Sequence, residues 1–263
     1  MEQDLTLTHG RYILFLDILG FSQLVQEKSI EDVYDTVNQT IAEFRRWEEL
    51  NRDFRTIYFS DTFIFYQESK GYGDWAFLDV YAIGGMILSA LLAKGIAARG
   101  AISFGDFEVR TDESQRHQLY FGNALIEAYR AEQRENWIGI TILKSAWEPF
   151  EKSKGGIVHV FEREKVWICR SDGVLLLNPF RKLISAYDSL LACDFNEDEM
   201  RKNDCDFLNE LMGFKFLHDR SEYYLKQGDF SSKVAGKYHS TVAFLKRLLG
   251  DRLYEWIYSM AMR

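Results

Sequence analysis

Residues 11–19, RYILFLDIL, form an apolar run that admits one acid, the pattern of a central strand buried on both faces. After GFS and a short amphipathic piece the period changes. Ile30, Val33, Val37, Ile41, Phe44 and Trp47 recur at spacings of three and four, which predicts an amphipathic helix. Ser29 suits its N-cap, with Asp32 three residues on as an approximate capping box. Residues 54–66, FRTIYFSDTFIFY, read as two strands broken by a tight hairpin at Ser60-Asp61. Residues 75–94 are apolar nearly all round, as in a well-covered helix, and Gly84-Gly85 marks a close approach within it. Residues 98–105, ARGAISFG, predict another strand, and DFEVRTDESQRHQLYFG a long hairpin arm with a polar tip. A third helix over 123–134 and a strand at 137–142, WIGITI, follow.

The order to about residue 150 is β-α-β-β-α-β-β-α-β. That is an α+β, ferredoxin-like palm: an antiparallel sheet with its helices on one face. Residues 156–177 hold short strand candidates, and from Pro179 the pattern is mainly helical. The chain thus divides into a core at 1–150 and a helix-rich C-terminal extension at 151–263. With only two prolines, Pro149 and Pro179, no proline-rich linker separates the parts.

Composition narrows the function classes. A 47% hydrophobic, 15% aromatic chain has ample material for a packed core. The net charge of −8 argues against a nucleic-acid binder, which needs a basic surface. An anionic substrate would need local help from metal ions, helix N-termini or a few arginines. Cys169, Cys193 and Cys205 lack CxxC spacing and read as reduced thiols. The N-terminus is polar and acidic, unlike a signal peptide, and the most apolar run, Val80 to Leu92, is too short to span a bilayer. The expectation is a soluble, cytoplasmic protein with no membrane partner.

The chemistry gathers at two acids. Asp17 interrupts an apolar strand, and an unpaired buried carboxylate is costly, so it must be partnered, exposed at a strand end or bound to metal. Asp61 falls at the hairpin tip. In a palm the first strand and this hairpin lie side by side, which brings the two acids together. With two divalent cations between them they can support in-line attack on an α-phosphate. Taken singly, Asp17 can be an arginine's partner and Asp61 a turn residue. Gly20, Phe21 and Ser22 follow the strand and open a helix, where backbone amides can cradle phosphates. Arg99 can contact phosphate or form a structural ion pair with Asp17 or Asp61. The five histidines show no i,i+4 pair, and no P-loop, GxSxG or Rossmann motif occurs.

LDILGFS (16–22), FSDTFIF (59–65), RGAISFGD (99–106) and FGNALIEAYRAE (121–132) resemble the four landmarks of class III nucleotidyl cyclases. More narrowly they resemble the pyrimidine cyclases of the bacterial Pycsar antiphage system, over roughly residues 10–145. The resemblance implies a homodimer with active sites across the interface. It implies that Asp17, Asp61 and the Ile18 carbonyl hold two Mn²⁺ or Mg²⁺ ions, and that Gly20 and Phe21 bind phosphate. Arg130 would be the transition-state arginine, donated by the partner chain. Two positions depart from the pattern. The usual ribose-orienting asparagine falls on Ile126, with Asn123 one turn earlier, and the purine-selecting lysine falls on Ile57. With Tyr58 adjacent, the base pocket is not built for adenine; Tyr58 can equally be a core aromatic. The implied substrate is a nucleoside triphosphate, UTP giving cUMP, or CTP giving cCMP. Rivals are another palm-type phosphoryl transferase and a catalytically inactive nucleotide-binding regulatory domain.

Overall fold

In a computed structural model of the chain, residues 10–35, 37, 38, 41, 45, 54–68, 73–111, 118–154, 161, 166–170, 172–193, 195–228 and 232–263 are described. Strand β1 (Arg11–Ile18) buries residues 12–16 and Ile18, as its apolar run requires. It leads into α1 (Phe21–Glu27). Helix α2 has helical positions 30–35, 37, 38, 41 and 45. Its cap is the expected one: the Asp32 amide donates to Ser29 Oγ at 3.1 Å, and the Ser29 hydroxyl donates to Asp32 Oδ2 at 2.8 Å. Val33 and Ile41 are buried and Val37 packs with the core, whereas Ile30 is exposed. Phe44 and Trp47 lie outside the described residues.

Strands β2 (Phe54–Phe59) and β3 (Thr62–Glu68) flank the Ser60-Asp61 turn, and α3 (Gly73–Ala93) and β4 (Ala98–Gly105) follow. The hairpin arm is β5 (Glu108–Thr111) with β6 (Gln118–Phe121), a ribbon separate from the main sheet. Its polar tip and the strand candidates at 156–160 lie outside the described residues. Next come α4 (Asn123–Arg134), β7 (Gly139–Ile142), α5 (Lys144–Lys154), β8 (Trp167–Cys169) and β9 (Leu175–Leu177). The chain ends in α6 (Arg181–Leu191), α7 (Glu197–Asn203), α8 (Cys205–Lys226) and α9 (Lys233–Ala261).

The main sheet runs β2-β3-β1-β4-β7-β9-β8. Its first four strands pair antiparallel in the palm order, and β7 joins β4 in parallel. Alternation along the strands sorts the core into two faces. Tyr12, Leu14 and Leu16 pack with Phe77, Val80 and Ile83 of α3, on the face that α2 shares. The palm's two crossover helices therefore lie on one face. Helix α4 covers the other, setting Ala124, Ala128 and Ala131 against Ile13, Phe15 and Ala101.

Strands β8 and β9, from beyond residue 150, extend the same sheet, and α8 packs along α3. An 18-residue stretch of α3, Ala76–Ala93, is long and apolar enough to cross a membrane, longer than the run read from the sequence. In this fold 61% of it is buried, between the sheet and the C-terminal helices. The three cysteines are free and exposed.

The close approach expected at Gly84-Gly85 is between helix and sheet. A Cβ at Gly84 would lie 3.2 Å from Leu177 and 3.3 Å from Leu14, against 3.6 Å for the nearest atom at Gly85. Gly84→Val should therefore lower the urea unfolding free energy by about 1–3 kcal/mol, the usual cost of overpacking. Gly85→Val should cost less; an equal or smaller loss at Gly84 contradicts this packing.

Candidate active site

The apolar run of β1 stops where the chain turns: Gly20 takes φ +73°, and a Cβ there would meet nothing within 4 Å. Asp17 sits just before that turn, its side chain 22% exposed. In register it stands opposite Thr62 of β3 on one side and Arg99 of β4 on the other. The hairpin tip is fastened to the same place. Ser60 adopts φ +56°, as the first residue of a tight primed turn does, and the Ile18 amide donates to the Asp61 carbonyl at 2.9 Å. The two aspartates therefore face each other's charge. Burial, with Glu132 and Asp61 nearby, pushes the Asp17 carboxyl up to about 6, against the pull of Arg99 and Lys237.

Glu132 is a third acid that the sequence did not single out. The small residues of α4 let the helix lie close on the sheet, and the Ser103 hydroxyl donates to the Ala124 carbonyl at 2.8 Å. Glu132, on the same inward side, is fully buried and ion-paired with Arg99. Burial raises its carboxyl, and Arg99 holds it down. Arg99 Nε also lies 4.0 Å from Asp17 Oδ2, so the ion-pair alternative describes its contacts: its guanidinium is committed to Glu132. A fourth charge comes from α9. Lys237 is 8% exposed, and burial and Arg99 bring its ammonium down to about 8, while Glu132 and Asp17 oppose that.

Asp17, Ile18, Gly20, Phe21, Asp61 and Arg99 thus gather at one end of β1; Tyr58 and Arg130 do not. Tyr58 stands opposite Phe63 and meets its ring edge-on at 5.7 Å, on the α3 face of the sheet. Asp17 shares its parity with Phe15 and Ile13, which face α4. Tyr58 and the aspartates of one chain therefore project from opposite faces of the sheet. At 39% exposed Tyr58 is not a core aromatic. Ile57, one residue earlier, is the side chain that packs on the α4 face. Arg130 lies on the exposed side of α4 and, among the described residues, makes no ion pair. Asn123 and Ile126 are exposed as well.

Two aspartate carboxylates are hard oxygen donors of the kind Mg²⁺ and Mn²⁺ prefer. Among the described residues no group of three or more His, Cys, Asp or Glu side chains is placed to hold a metal ion. The donor set therefore fits ions that complete their shell with water, backbone carbonyl and phosphate oxygens, as Mg²⁺ commonly does.

Neither a protein-family model nor a curated protein sequence matches the chain. Solved structures do. The adenylyl cyclase CyaB of P. aeruginosa is 15% identical, with 65% of this chain and 94% of that one covered and a TM-score of 0.49. The guanylyl cyclase domain of the RhoGC fusion protein of the aquatic fungus Blastocladiella emersonii is 18% identical, with 55% and 84% covered and a TM-score of 0.44. The guanylate cyclase domain of RhGC from Catenaria anguillulae, solved in complex with GTP, is 18% identical, with 56% and 84% covered and a TM-score of 0.43.

The crowded acids make a prediction about pH. Asp17 has its carboxyl raised from 3.8 to about 6, so its ionisation costs the metal-free fold stability that is intact below pH 3.8 and lost above about 6. Asp17→Asn should therefore stabilise the metal-free protein at pH 8, by about 1–3 kcal/mol, and change little at pH 4. Thermal melts in a chelator check this; a lower melting temperature for the variant at pH 8 contradicts it.

Proposed function

We propose that the chain is a divalent-metal-dependent nucleotidyl cyclase that converts a pyrimidine nucleoside triphosphate to its 3′,5′-cyclic monophosphate and diphosphate. The observation that carries the reading is the tie from the Ile18 amide to the Asp61 carbonyl, which sets the hairpin acid beside Asp17. In the reaction the ribose 3′-hydroxyl attacks the α-phosphorus and diphosphate leaves, with no covalent enzyme intermediate. Bound Mn²⁺ or Mg²⁺ ions would supply Lewis-acid stabilisation of the attacking and leaving oxygens. Asp17 and Asp61 would hold those ions, with the Ile18 carbonyl as a further oxygen donor. Gly20 leaves room for a phosphate to approach the Gly20 and Phe21 amides. Arg99, engaged by Glu132, positions the corner rather than binding substrate.

Arg130 points away from its own acids, so it serves a second copy of the chain, where a guanidinium can neutralise developing charge. Exposed apolar side chains flank it: Ile126 and Tyr129 on α4, Leu119 and Phe121 on β6. A surface of that kind is what a homodimer would cover.

The base assignment rests on Ile57, which offers no donor where a purine cyclase places lysine; UTP is the first choice and CTP the second. On the motif resemblance alone, we extend the reading to a second-messenger role for the product in bacterial antiphage defence. The second reading, a nucleotide-binding domain without turnover, is favoured by Arg99, which already offers Asp17 a counter-charge at 4.0 Å.

Incubation with the four ribonucleoside triphosphates and Mn²⁺, read by mass spectrometry, tests both. Cyclic UMP or CMP should exceed cyclic AMP and GMP by at least about tenfold, a difference of only ~1.4 kcal/mol. A dominant purine product would overturn the base assignment, and no cyclic product at all would favour the second reading. The shared site has its own test. Asp61→Ala and Arg130→Ala chains, each inactive, should regain activity when mixed, because one site of the mixed dimer is intact. No recovery despite demonstrated subunit exchange contradicts donation of Arg130 across the interface.

A further inference from the structure

Helix α9 is fixed against the sheet beside the acidic corner. Thr241 Oγ1 accepts the Ile138 amide at 2.8 Å and donates to the Lys237 carbonyl at 2.7 Å, both in buried surroundings. One turn on, Phe244 meets Trp137 edge-on at 5.8 Å. Gly139, the next residue of that strand, is in register with Arg99. The anchors thus lie beside the strand position that carries the corner's arginine, and they set where Lys237 sits, one turn before Thr241. On its other side α9 joins α8. Val234, Tyr238, Arg220 and Tyr224 line a small cavity against the β1–α1 turn at Leu19 and Gly20. The C-terminal helices therefore reach the end of β1 from two directions.

Lys237 is more than nine-tenths buried, yet among the described residues it makes no ion pair. Glu132, an acid whose charge reaches it, is engaged by Arg99. Its stem is enclosed while its ammonium nitrogen keeps some access to solvent, so the charge is held at the corner without a fixed protein partner among the described residues. Divalent cations on Asp17 and Asp61 would also turn the corner from net negative to net positive, leaving Lys237 as its uncommitted cation.

We infer that Lys237 binds the polyphosphate of the nucleotide, so that the C-terminal helices supply part of the substrate site within the same chain. The inference rests on the proposed function for the identity of the ligand as a polyphosphate; the uncommitted cation by itself calls for an anion. Because Thr241 and the Trp137–Phe244 contact hold α9 independently, replacing Lys237 should leave the helix docked.

The test is calorimetric titration of the full chain with inorganic tripolyphosphate and Mg²⁺, where no turnover can occur. Lys237→Met should weaken tripolyphosphate binding by about tenfold or more, the loss of one charge-assisted hydrogen bond. Lys237→Arg should retain most of it. Mg²⁺ affinity should not fall in Lys237→Met, since removing a nearby positive charge cannot weaken a cation site electrostatically. The melting temperature should hold or rise. If Lys237→Met does not fold, Lys237→Gln takes its place under the same criterion. Absence of tripolyphosphate binding by the parent chain, or binding to the uncharged variant within twofold of the parent, overturns the inference. Loss of tripolyphosphate binding in a chain that turns over no nucleotide would sink the cyclase reading and leave the anion site standing. Nucleotide turnover with tripolyphosphate binding indifferent to Lys237 would do the reverse.

Discussion

Like charges at the end of β1 are the constraint on which the rest of this structure depends. Asp17, Asp61 and Glu132 share one half-buried corner, where burial first, and then the charges of Glu132 and Asp61, raise the Asp17 carboxyl to about 6. Arg99 answers the deepest of them. Glu132 is fully buried, and removing one partner of a buried pair costs roughly 3–5 kcal/mol, so the guanidinium is not free for other work. Asp17 and Asp61 are left as the under-compensated acids, a donor set for a divalent cation.

The fold delivers that corner through strand parity. Odd-numbered positions of β1 and β4 face α4, so Asp17 and Arg99 project on the side from which Glu132 arrives. Ala124, Ala128 and Ala131 bring the helix close enough for that contact, and the same helical period turns Arg130 outward. One helix thus presents a buried acid to its own chain and an exposed arginine to whatever lies beyond it. The even positions belong to a different layer, where α3 is enclosed between the sheet and α8.

Much of this was legible in the sequence because it is local. An acid in an apolar run marked Asp17, the Ser60-Asp61 break marked the hairpin, and Ser29 with Asp32 marked the start of α2. Helix α5 was hidden by Pro149, which sits inside it and reads as punctuation. The face that Tyr58 takes relative to Asp17 was not legible: alternation says that neighbours face opposite ways, and only the pairing of β3 with β1 says which way Asp17 faces. Glu132 and Lys237 were invisible for a deeper reason. On their own helices each is one charged residue among several, and only the docking of α4 and α9 onto the same strand ends brings their charges to bear on Asp17. The motif resemblance brought in Arg130 but is silent on the C-terminal helices, which it does not cover.

The central claim is that Asp17 and Asp61 form one divalent-cation site. Anomalous diffraction from crystals soaked in Mn²⁺ tests it most directly. A Mn²⁺ peak between the two carboxylates, with Arg99 still on Glu132, is the predicted result. No peak at that position, with the Arg99 guanidinium closed onto Asp17 in its place, would contradict it.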